Sequence, residues 1–263
     1  MLGAIAGDII GSCYEGRRRN IRTTCFPLFT GQSHFTDDTV LTVAVANAII
    51  HGGEYAGKIK EYYRYYPRAG YGSAFARWAR SDSMEPYGSW GNGSAMRVSP
   101  VGFAFDTLES VLHEAQRSAA VTHDHPEGIK GAQAVASAVF LARSGKTRQQ
   151  IREYIENSFS YDLTEPLESI QAWYARDYTD ISCQGSVPQA ITAFLESGDF
   201  EDAIRKAISI GGDSDTIACM AGGIAEAYYG PVPEAIREGV LARLDKRLSL
   251  VVMEFAGRFS MPV

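Results

Sequence analysis

The sequence predicts an all-α fold of roughly ten or more helices, in a single domain that covers residues 1–263. Apolar residues recur at helical spacing in most segments, and alternating β-branched runs bounded by turns are almost absent. No proline- or serine-rich linker, low-complexity tract or shift in charge divides the chain. A chain of this length can bury a full hydrophobic core without disulfides or a structural metal, so one domain is the simplest arrangement.

Each predicted helix rests on apolar residues three or four positions apart, which share one helix face. In chain order the predicted helices are 40–50, 55–65, 108–121, 131–141, 188–195, 203–210, 217–229 and 248–255. Several are rich in alanine and glycine, although glycine costs about 1 kcal/mol relative to alanine inside a helix. The small residues of 6–9 and 221–224 therefore predict two helices whose backbones pack closely together.

The composition excludes several function classes. With 25 basic against 31 acidic residues the net charge is −6, which disfavours sequence-independent nucleic-acid binding and leaves nucleic acid only as a modified substrate. The four cysteines form no CxxC pair, so reduced thiols are expected. The longest uncharged apolar stretch, 40–50, is too short for a bilayer, and no basic segment precedes the first apolar run. We expect a cytoplasmic monomer.

Two acidic clusters, 35–39 and 211–216, each lead directly into an apolar helical run and therefore lie at helix N-termini. N-capping needs one side chain per helix, whereas each cluster offers two carboxylates and a hydroxyl. Carboxylates this close repel one another unless a cation lies between them. Hard oxygen ligands favour Mg²⁺ or Mn²⁺ over Zn²⁺, and their number suggests two ions, with Asp38 or Asp215 as a bridge. The candidate ligands are Thr36, Asp37, Asp38, Asp213, Asp215 and Thr216.

Two further acids follow the N-terminal small-residue helix. Asp8 is either a buried packing or capping residue or part of the acidic site. Glu15 is a candidate acid/base or outer metal ligand, although a solvent-exposed glutamate beside Arg17 is the commoner arrangement. The arginines of 17–22 form either a solvated loop or a steering patch for an acidic partner.

A glycine-rich loop at 88–93 is the third element, because its backbone N–H groups can approach an anion closely. An ordinary tight turn gives the same pattern, but Trp90 beside the glycines could stack on a nucleobase. The fourth element is 122–128, in which Pro126 suits the first position of a helix. His123 and His125 there suggest hydrogen bonds to a phosphate or ribose more than a zinc site, and a helix-capping Asp124 with solvated histidines is the alternative.

Taken in order, these blocks resemble the ADP-ribosylglycohydrolase family. The matching stretches are GAIAGDIIGSCYE (3–15), FTDDT (35–39), GNGSAMRVSPVG (91–102), THDHPEGIKGA (122–132), SVPQA (186–190) and GGDSDTIACMAGGIAEAYYG (211–230). The resemblance implies an all-α orthogonal multi-helix fold with two Mg²⁺ or Mn²⁺ ions at the base of an ADP-ribose cleft. It implies metal binding by all six candidate ligands, an acid near the metals at Glu15, and catalysis by Glu15, Asp38 and Asp215. The implied substrate contacts are Ser89, Trp90, Gly91, Asn92, Gly93, Ser94, Met96 and His123.

Residues and resemblance together predict a metal-dependent hydrolase that removes ADP-ribose from a modified protein or another conjugate by cleaving the bond at ribose C1″. A water oriented by Glu15 would attack C1″, and ring opening before hydrolysis is equally compatible. Two alternatives remain: a Mg²⁺-dependent nucleotide diphosphate hydrolase and a non-catalytic ADP-ribose-binding protein. The sequence does not identify the acceptor linkage.

Overall fold

A computed structural model describes residues 1–16, 19–174 and 180–259. These residues form fifteen helices and no β-strand, which confirms the all-α fold class. None of the described helices is long and apolar enough to cross a membrane. The helices are α1 Leu2–Gly11, α2 Asp37–His51, α3 Tyr55–Tyr65, α4 Ser73–Arg80, α5 Gly93–Met96, α6 Ser99–Ala104, α7 Leu108–Ala120, α8 Pro126–Arg143, α9 Arg148–Phe159, α10 Leu167–Tyr174, α11 Cys183–Leu195, α12 Phe200–Ile210, α13 Ser214–Tyr229, α14 Glu234–Leu241 and α15 Lys246–Arg258.

All eight helices predicted from apolar spacing are present, although Val121 falls one residue beyond the end of α7. The largest extension is in α8, which begins at Pro126 rather than at residue 131, so Pro126 occupies the first helical position as predicted. The prediction that residues 1–263 form one domain stays a prediction.

The helices α1 and α13 pack backbone against backbone, which confirms the expected small-residue contact. A methyl group added at Gly3 would overlap the carbonyl oxygen of Gly222, and one added at Gly7 would overlap that of Ala218. Residue numbers rise along α1 as those of the contacted residues in α13 fall, so the two helices run antiparallel. The end of α1 therefore meets the beginning of α13.

The same end of α1 also holds the beginning of α2. The carboxylate of the fully buried Asp8 accepts hydrogen bonds from the backbone N–H groups of Thr36 and Thr39, each at 3.0 Å. It accepts two more from the hydroxyls of Thr36, at 2.7 Å, and Thr39. Asp8 thus has the buried structural role considered from the sequence. Three helix ends consequently converge, and two of them carry the acidic clusters.

Candidate metal centre and ligand cleft

A cleft of about 520 Å³ opens where these three helix ends meet. Its lining includes all six predicted metal ligands and Glu15. The lining also includes six of the eight residues predicted to contact substrate, namely Ser89, Gly91, Asn92, Gly93, Met96 and His123. Two regions that are distant in sequence therefore face one volume.

The first acidic cluster surrounds the N-terminus of α2, as predicted. Thr36 is the N-cap, and its hydroxyl accepts a hydrogen bond from the backbone N–H of Asp38 at 3.3 Å while donating to Asp8. The backbone N–H of Asp37 donates to the carbonyl oxygen of Ala69 at 2.6 Å. Capping therefore uses Thr36 and Asp8, which leaves the Asp37 and Asp38 carboxylates for other partners.

Asp38 is an incompletely paired buried acid. Its side chain is only 2% exposed, and Oδ1 accepts a hydrogen bond from the Thr216 hydroxyl at 3.3 Å. Its Oδ2 atom is buried and has no hydrogen-bond partner among the described residues. Leaving a buried carboxylate oxygen unpaired costs several kcal/mol, so this atom points to a proton or a cation that completes it.

The second acidic cluster surrounds the N-terminus of α13. Asp213 occupies the N-cap position, and its carboxylate accepts a hydrogen bond from the side-chain amide of Asn92 at 2.5 Å. Asp215 lies in the first turn, where Oδ1 accepts from the backbone N–H of Thr216 at 2.9 Å. Both side chains are buried, and Gly11 of α1 packs so closely that an added methyl group would lie 2.5 Å from the Asp215 Cα.

Two groups of three carboxylates bring their oxygen atoms within 4.8 Å of one another. The first consists of Asp8, Asp38 and Asp215, and the second of Glu15, Asp213 and Asp215. Because Asp215 belongs to both groups, it occupies the position that a bridging ligand would need. Asp37 belongs to neither group, whereas Asp8 joins one although the sequence pattern alone left its role open.

The pKa values follow from this crowding. Burial raises the pKa of Asp38 and of Asp215 well above the usual range, and a neighbouring carboxylate adds to each shift. Burial raises the pKa of Asp37 to about 8, and it raises that of Asp213 to about 6 against the hydrogen bond from Asn92. Hard oxygen donors that resist ionisation without a counter-charge suit Mg²⁺ or Mn²⁺. The residues present therefore fit a divalent-cation site.

Glu15 lies at the border of this acidic region. Its residue surface is exposed, and it contributes to the cleft lining. Partial burial of the carboxyl and the charge of Asp8 raise the pKa of Glu15, while Arg19 and His34 oppose the shift. Glu15 is thus the member of the acidic groups that both solvent and a ligand can reach.

The glycine-rich loop forms the other end of the cleft and is fixed at several points. The backbone N–H of Asn92 donates to the carbonyl oxygen of Ile181 at 2.8 Å, and that of Cys183 donates to Trp90 at 3.0 Å. The backbone N–H of Gly88 donates to the Asp124 carboxylate at 2.8 Å. The loop therefore has a defined shape without a ligand.

Two residues predicted to contact substrate lie outside the cleft lining. Trp90 is 56% exposed, and its ring packs against His125 at a centroid distance of 5.7 Å. Ser94 is fully buried and donates to the carbonyl oxygen of Gly128 at 2.7 Å. Tyr87 and Phe75, which the sequence analysis did not single out, do line the cleft. Tyr87 directly precedes Gly88, so it carries the same signal that drew attention to Trp90.

The histidine motif connects the loop to a buried arginine. His123 is buried, and its Nδ1 lies 2.7 Å from the Thr122 hydroxyl, which also accepts a hydrogen bond from Nη2 of Arg97 at 2.9 Å. Burial lowers the pKa of His123 well below the usual range, and the charge of Arg97 adds to that shift. His125 is the N-cap of α8, so the alternative in which Asp124 caps this helix is wrong.

The arginine cluster at 17–22 is only partly described, because Arg17 and Arg18 lie outside the described residues. Arg19 is exposed. The Arg22 guanidinium donates a hydrogen bond to the carbonyl oxygen of Ile210 at the end of α12. Arg22 is also exposed, as expected for a solvated loop, and its hydrogen bond supports the turn that leads to Asp213.

Comparisons with known proteins agree on one family. A sequence model of the ADP-ribosylglycohydrolase family matches residues 1–261. The chain is 28% identical over 312 residues to the ADP-ribosylhydrolase ARH3 of Homo sapiens, covering 89% of this chain and 86% of the relative. It is 27% identical over 302 residues to that of Xenopus tropicalis, covering 88% and 86%.

A bacterial relative and a solved structure extend these comparisons. The chain is 24% identical to the ADP-ribosylarginine hydrolase Tri1 of Pseudomonas putida, covering 88% of this chain and 69% of the relative. A solved structure titled "ADP-ribosylglycohydrolase-related protein complex" superposes with a TM-score of 0.70 at 24% identity, covering 97% of this chain and 95% of the other. That likeness concerns the fold.

Proposed function

The chain belongs to the ADP-ribosylglycohydrolase family, and on this premise we propose that its cleft is the active site of a metal-dependent ADP-ribosylhydrolase. The hydrolase class is supported by relatives named as ADP-ribosylhydrolases, which match at about 27% identity. The observation that carries the metal dependence is the buried Asp38 carboxylate: its Oδ2 atom has no partner among the described residues, and one of its oxygens lies within 4.8 Å of an Asp215 oxygen.

The substrate would lie along the cleft with its two parts at opposite ends. A volume of about 520 Å³ is within the range of pockets that hold a ligand of nucleotide size. The diphosphate and adenosine would occupy the end formed by the glycine-rich loop and His123. The distal ribose, which carries the reacting C1″ atom, would lie over the carboxylates.

The two carboxylate groups would hold two divalent cations. Asp8, Asp38 and Asp215 form one candidate ligand set, while Glu15, Asp213 and Asp215 form the other. Asp8 already accepts four hydrogen bonds, so it would mainly support the first set. Thr36, Asp37 and Thr216 line the same cleft, and a hydroxyl that donates to a carboxylate keeps its oxygen free for a cation. When bound, Mg²⁺ or Mn²⁺ would supply Lewis acidity and a fixed position for the ribose hydroxyls.

The reaction exchanges one bond at C1″. The bond from C1″ to the acceptor breaks, and a bond from C1″ to a water oxygen forms. Glu15 takes a proton from the water, because its carboxylate reaches both the cleft and solvent. That proton, or one from solvent, goes to the departing acceptor. A path through ring opening would use the same carboxylates.

Product analysis across a panel of substrates tests the proposal. Arginine-, serine-, O-acetyl- and nucleobase-linked ADP-ribose are incubated with the protein and Mg²⁺ or Mn²⁺, and free ADP-ribose is measured. We expect release from at least one substrate, abolished by chelation. Asp215→Asn should lower release by about a thousandfold or more. Asp199→Asn, at the exposed N-cap of α12, is the matched control and should retain full activity.

Other outcomes would contradict the proposal in distinct ways. AMP and a ribose phosphate as products would indicate a nucleotide diphosphate hydrolase. Tight ADP-ribose binding without consumption of any conjugate would indicate a binding protein. Release of ADP-ribose by a chain that carries both Asp38→Ala and Asp215→Ala would refute the metal-dependent scheme.

A further inference from the structure

Arg97 is a buried cation without an anionic partner. Its side chain is fully buried, and no carboxylate lies within ion-pair distance of it in the described part of the chain. Nη2 donates to the Ser118 carbonyl oxygen at 2.8 Å and to the Thr122 hydroxyl at 2.9 Å, whereas Nε and Nη1 have no partner. Burial lowers the pKa of Arg97 to about 10, so the group stays positively charged near neutrality.

The contact with Arg97 determines what the Thr122 hydroxyl does. A guanidinium is only a donor, so the hydroxyl oxygen of Thr122 accepts from it. The hydroxyl proton then needs an acceptor. Among the described residues, the one other group bonded to this hydroxyl is Nδ1 of His123, at 2.7 Å. Thr122 therefore donates to Nδ1, because the opposite arrangement would leave its buried hydroxyl proton unsatisfied.

We propose that Arg97 and Thr122 are positioning residues that hold His123 as the neutral tautomer with its proton on Nε2. An Nδ1 atom that accepts a hydrogen bond carries no proton, so the ring proton is on Nε2. Imidazolium is disfavoured as well, because a charged ring would bring a second cation next to Arg97 and would require Nδ1 to be a donor.

The Nε2–H group faces the cleft through a space that two glycines leave open. A methyl group added at Gly93 would lie 3.1 Å from Nε2, and one added at Gly91 would lie 3.7 Å away. Both glycines and His123 line the cleft. No described residue accepts a hydrogen bond from Nε2. It is thus a fixed donor for an anionic group of the ligand, with the charge of Arg97 behind it.

The tautomer assignment depends only on contacts inside the protein, whereas the identity of the anionic group, a phosphate of ADP-ribose, rests on the proposed function. Nitrogen NMR of protein labelled at histidine tests the first part without ligand or metal. His123 is assigned by comparison with His123→Gln. We expect a pyridine-type shift at Nδ1 and a pyrrole-type shift at Nε2 at neutral pH. The reverse pattern, or an imidazolium spectrum, would overturn the proposal.

Variants of Arg97 and Thr122 test whether these two residues fix the tautomer of His123. Thr122→Val keeps the branched shape and removes the hydroxyl, so we expect a mixture of tautomers, and Thr122→Ser should restore the wild-type spectrum. Arg97→Met frees the Thr122 hydroxyl to accept from Nδ1 and should also give a mixture. If Arg97→Met does not fold, Thr122→Val tests the same step. An unchanged tautomer in folded Thr122→Val would overturn the proposal.

Binding of ADP-ribose, measured by calorimetry, tests the role of Nε2–H. Because only the Nε2–H fraction of a tautomer mixture can donate, we expect the affinity in Thr122→Val to fall in proportion to that fraction, about twofold for an equal mixture. Gly93→Ala separates blocking of Nε2 from a change of tautomer. It should weaken binding by filling the space in front of Nε2 and leave the tautomer unchanged. Full affinity in a Thr122→Val protein with mixed tautomers would refute the role in binding. Wild-type protein that shows the expected tautomer but does not bind ADP-ribose would count against the proposed function instead.

Discussion

The two ends of the cleft differ in the sign of their uncompensated buried charge. At one end, several buried carboxylates crowd together, and the Asp38 Oδ2 atom has no partner among the described residues. At the other end, the cation of Arg97 is buried without an acid in the described part of the chain, behind a glycine-rich loop and His123, whose pKa is lowered by burial. The charge and burial of each end therefore suit a different ligand: a cation at the acidic end and an anionic group beside His123 and Arg97.

Asn92 joins the two ends, and its substitution should have the largest effect. Its backbone belongs to the glycine-rich loop, while its side-chain amide donates to Asp213 at 2.5 Å and to the Ser186 hydroxyl at 3.0 Å. Asn92→Asp places two carboxylates in contact and removes the donor. We expect turnover, measured by product release, to fall by about a hundredfold or more, because the added charge repels Asp213 and the hydrogen-bond donor to Asp213 is lost.

Ser186→Ala is the control for that substitution. It removes the other partner of the Asn92 amide and leaves the bond to Asp213 in place, so the loss should stay below about tenfold. Equal effects of the two substitutions would show that Asn92 acts only by fixing the loop.

The packing of α1 should be the next most sensitive feature. Gly11→Ala would place a methyl group 2.5 Å from the Asp215 Cα, so the helices must separate at the acidic end. We expect the free energy of unfolding to fall by about 3 kcal/mol, with weaker Mn²⁺ binding. Gly57→Ala, in α3, meets no atom within 4 Å and should raise stability by up to about 1 kcal/mol. Wild-type Mn²⁺ affinity in Gly11→Ala would contradict this account of how Asp215 is positioned.

The acidic end should also make the cation-free protein sensitive to pH. Burial raises the pKa of Asp213 to about 6 and that of Asp37 to about 8, above the unfolded value of 3.8. Raised carboxyl pKa values stabilise the fold fully below the unfolded pKa, and this contribution is lost as pH rises through the folded values.

We therefore expect the melting temperature in EDTA to fall by several degrees between about pH 5 and about pH 8.5. Mn²⁺ should reduce the fall, because it stabilises the ionised carboxylates. Asp37→Asn should make the fall shallower over this whole range, because the protonation of Asp37 differs between the folded and unfolded states from about pH 4 to about pH 8. A melting temperature that rises over this range in EDTA would mean that the carboxylates are compensated without a cation.

The smallest effect concerns the aromatic residues near the glycine-rich loop. Tyr87 lines the cleft, whereas Trp90 is exposed and lies outside its lining. We expect Tyr87→Ala to weaken ADP-ribose binding about tenfold and Trp90→Ala to change it less than about twofold, by calorimetry. The opposite order would support the sequence-based expectation that Trp90 stacks on the base.

The sequence predicted best those helices whose local residue pattern is enough to define them. Apolar spacing located eight helices, and the small residues located the contact between α1 and α13. The helix α9 was not predicted because it is mostly polar, yet Thr147 and Gln150 form a capping box that indicates its start. Patterns that span only a few residues therefore predicted structure correctly, including the helix N-termini that carry the acidic clusters.

The partners of individual site residues were not predictable, because they come from distant segments. The four hydrogen bonds to Asp8 depend on the position of α2 relative to α1. The chain from Arg97 through Thr122 to His123 depends on the close approach of the segments after the glycine-rich loop and after α7. Trp90 was favoured by residue type alone, since sequence does not show which side of a loop faces a cleft.

The hydrogen bond from Thr216 to Asp38 joins residues 178 positions apart, and that between Asn92 and Asp213 joins residues 121 apart. Contacts between such distant segments close large loops, which slows folding relative to contacts within a helix or hairpin. During synthesis, α1 and α2 leave the ribosome long before α13 does. The carboxylates of Asp8 and Asp38 are therefore synthesised well before Asp213 and Asp215, which complete the acidic groups. The proposed cation site is thus complete only when the last long-range contacts have formed, so Mn²⁺ binding during refolding would report when the chain has finished folding.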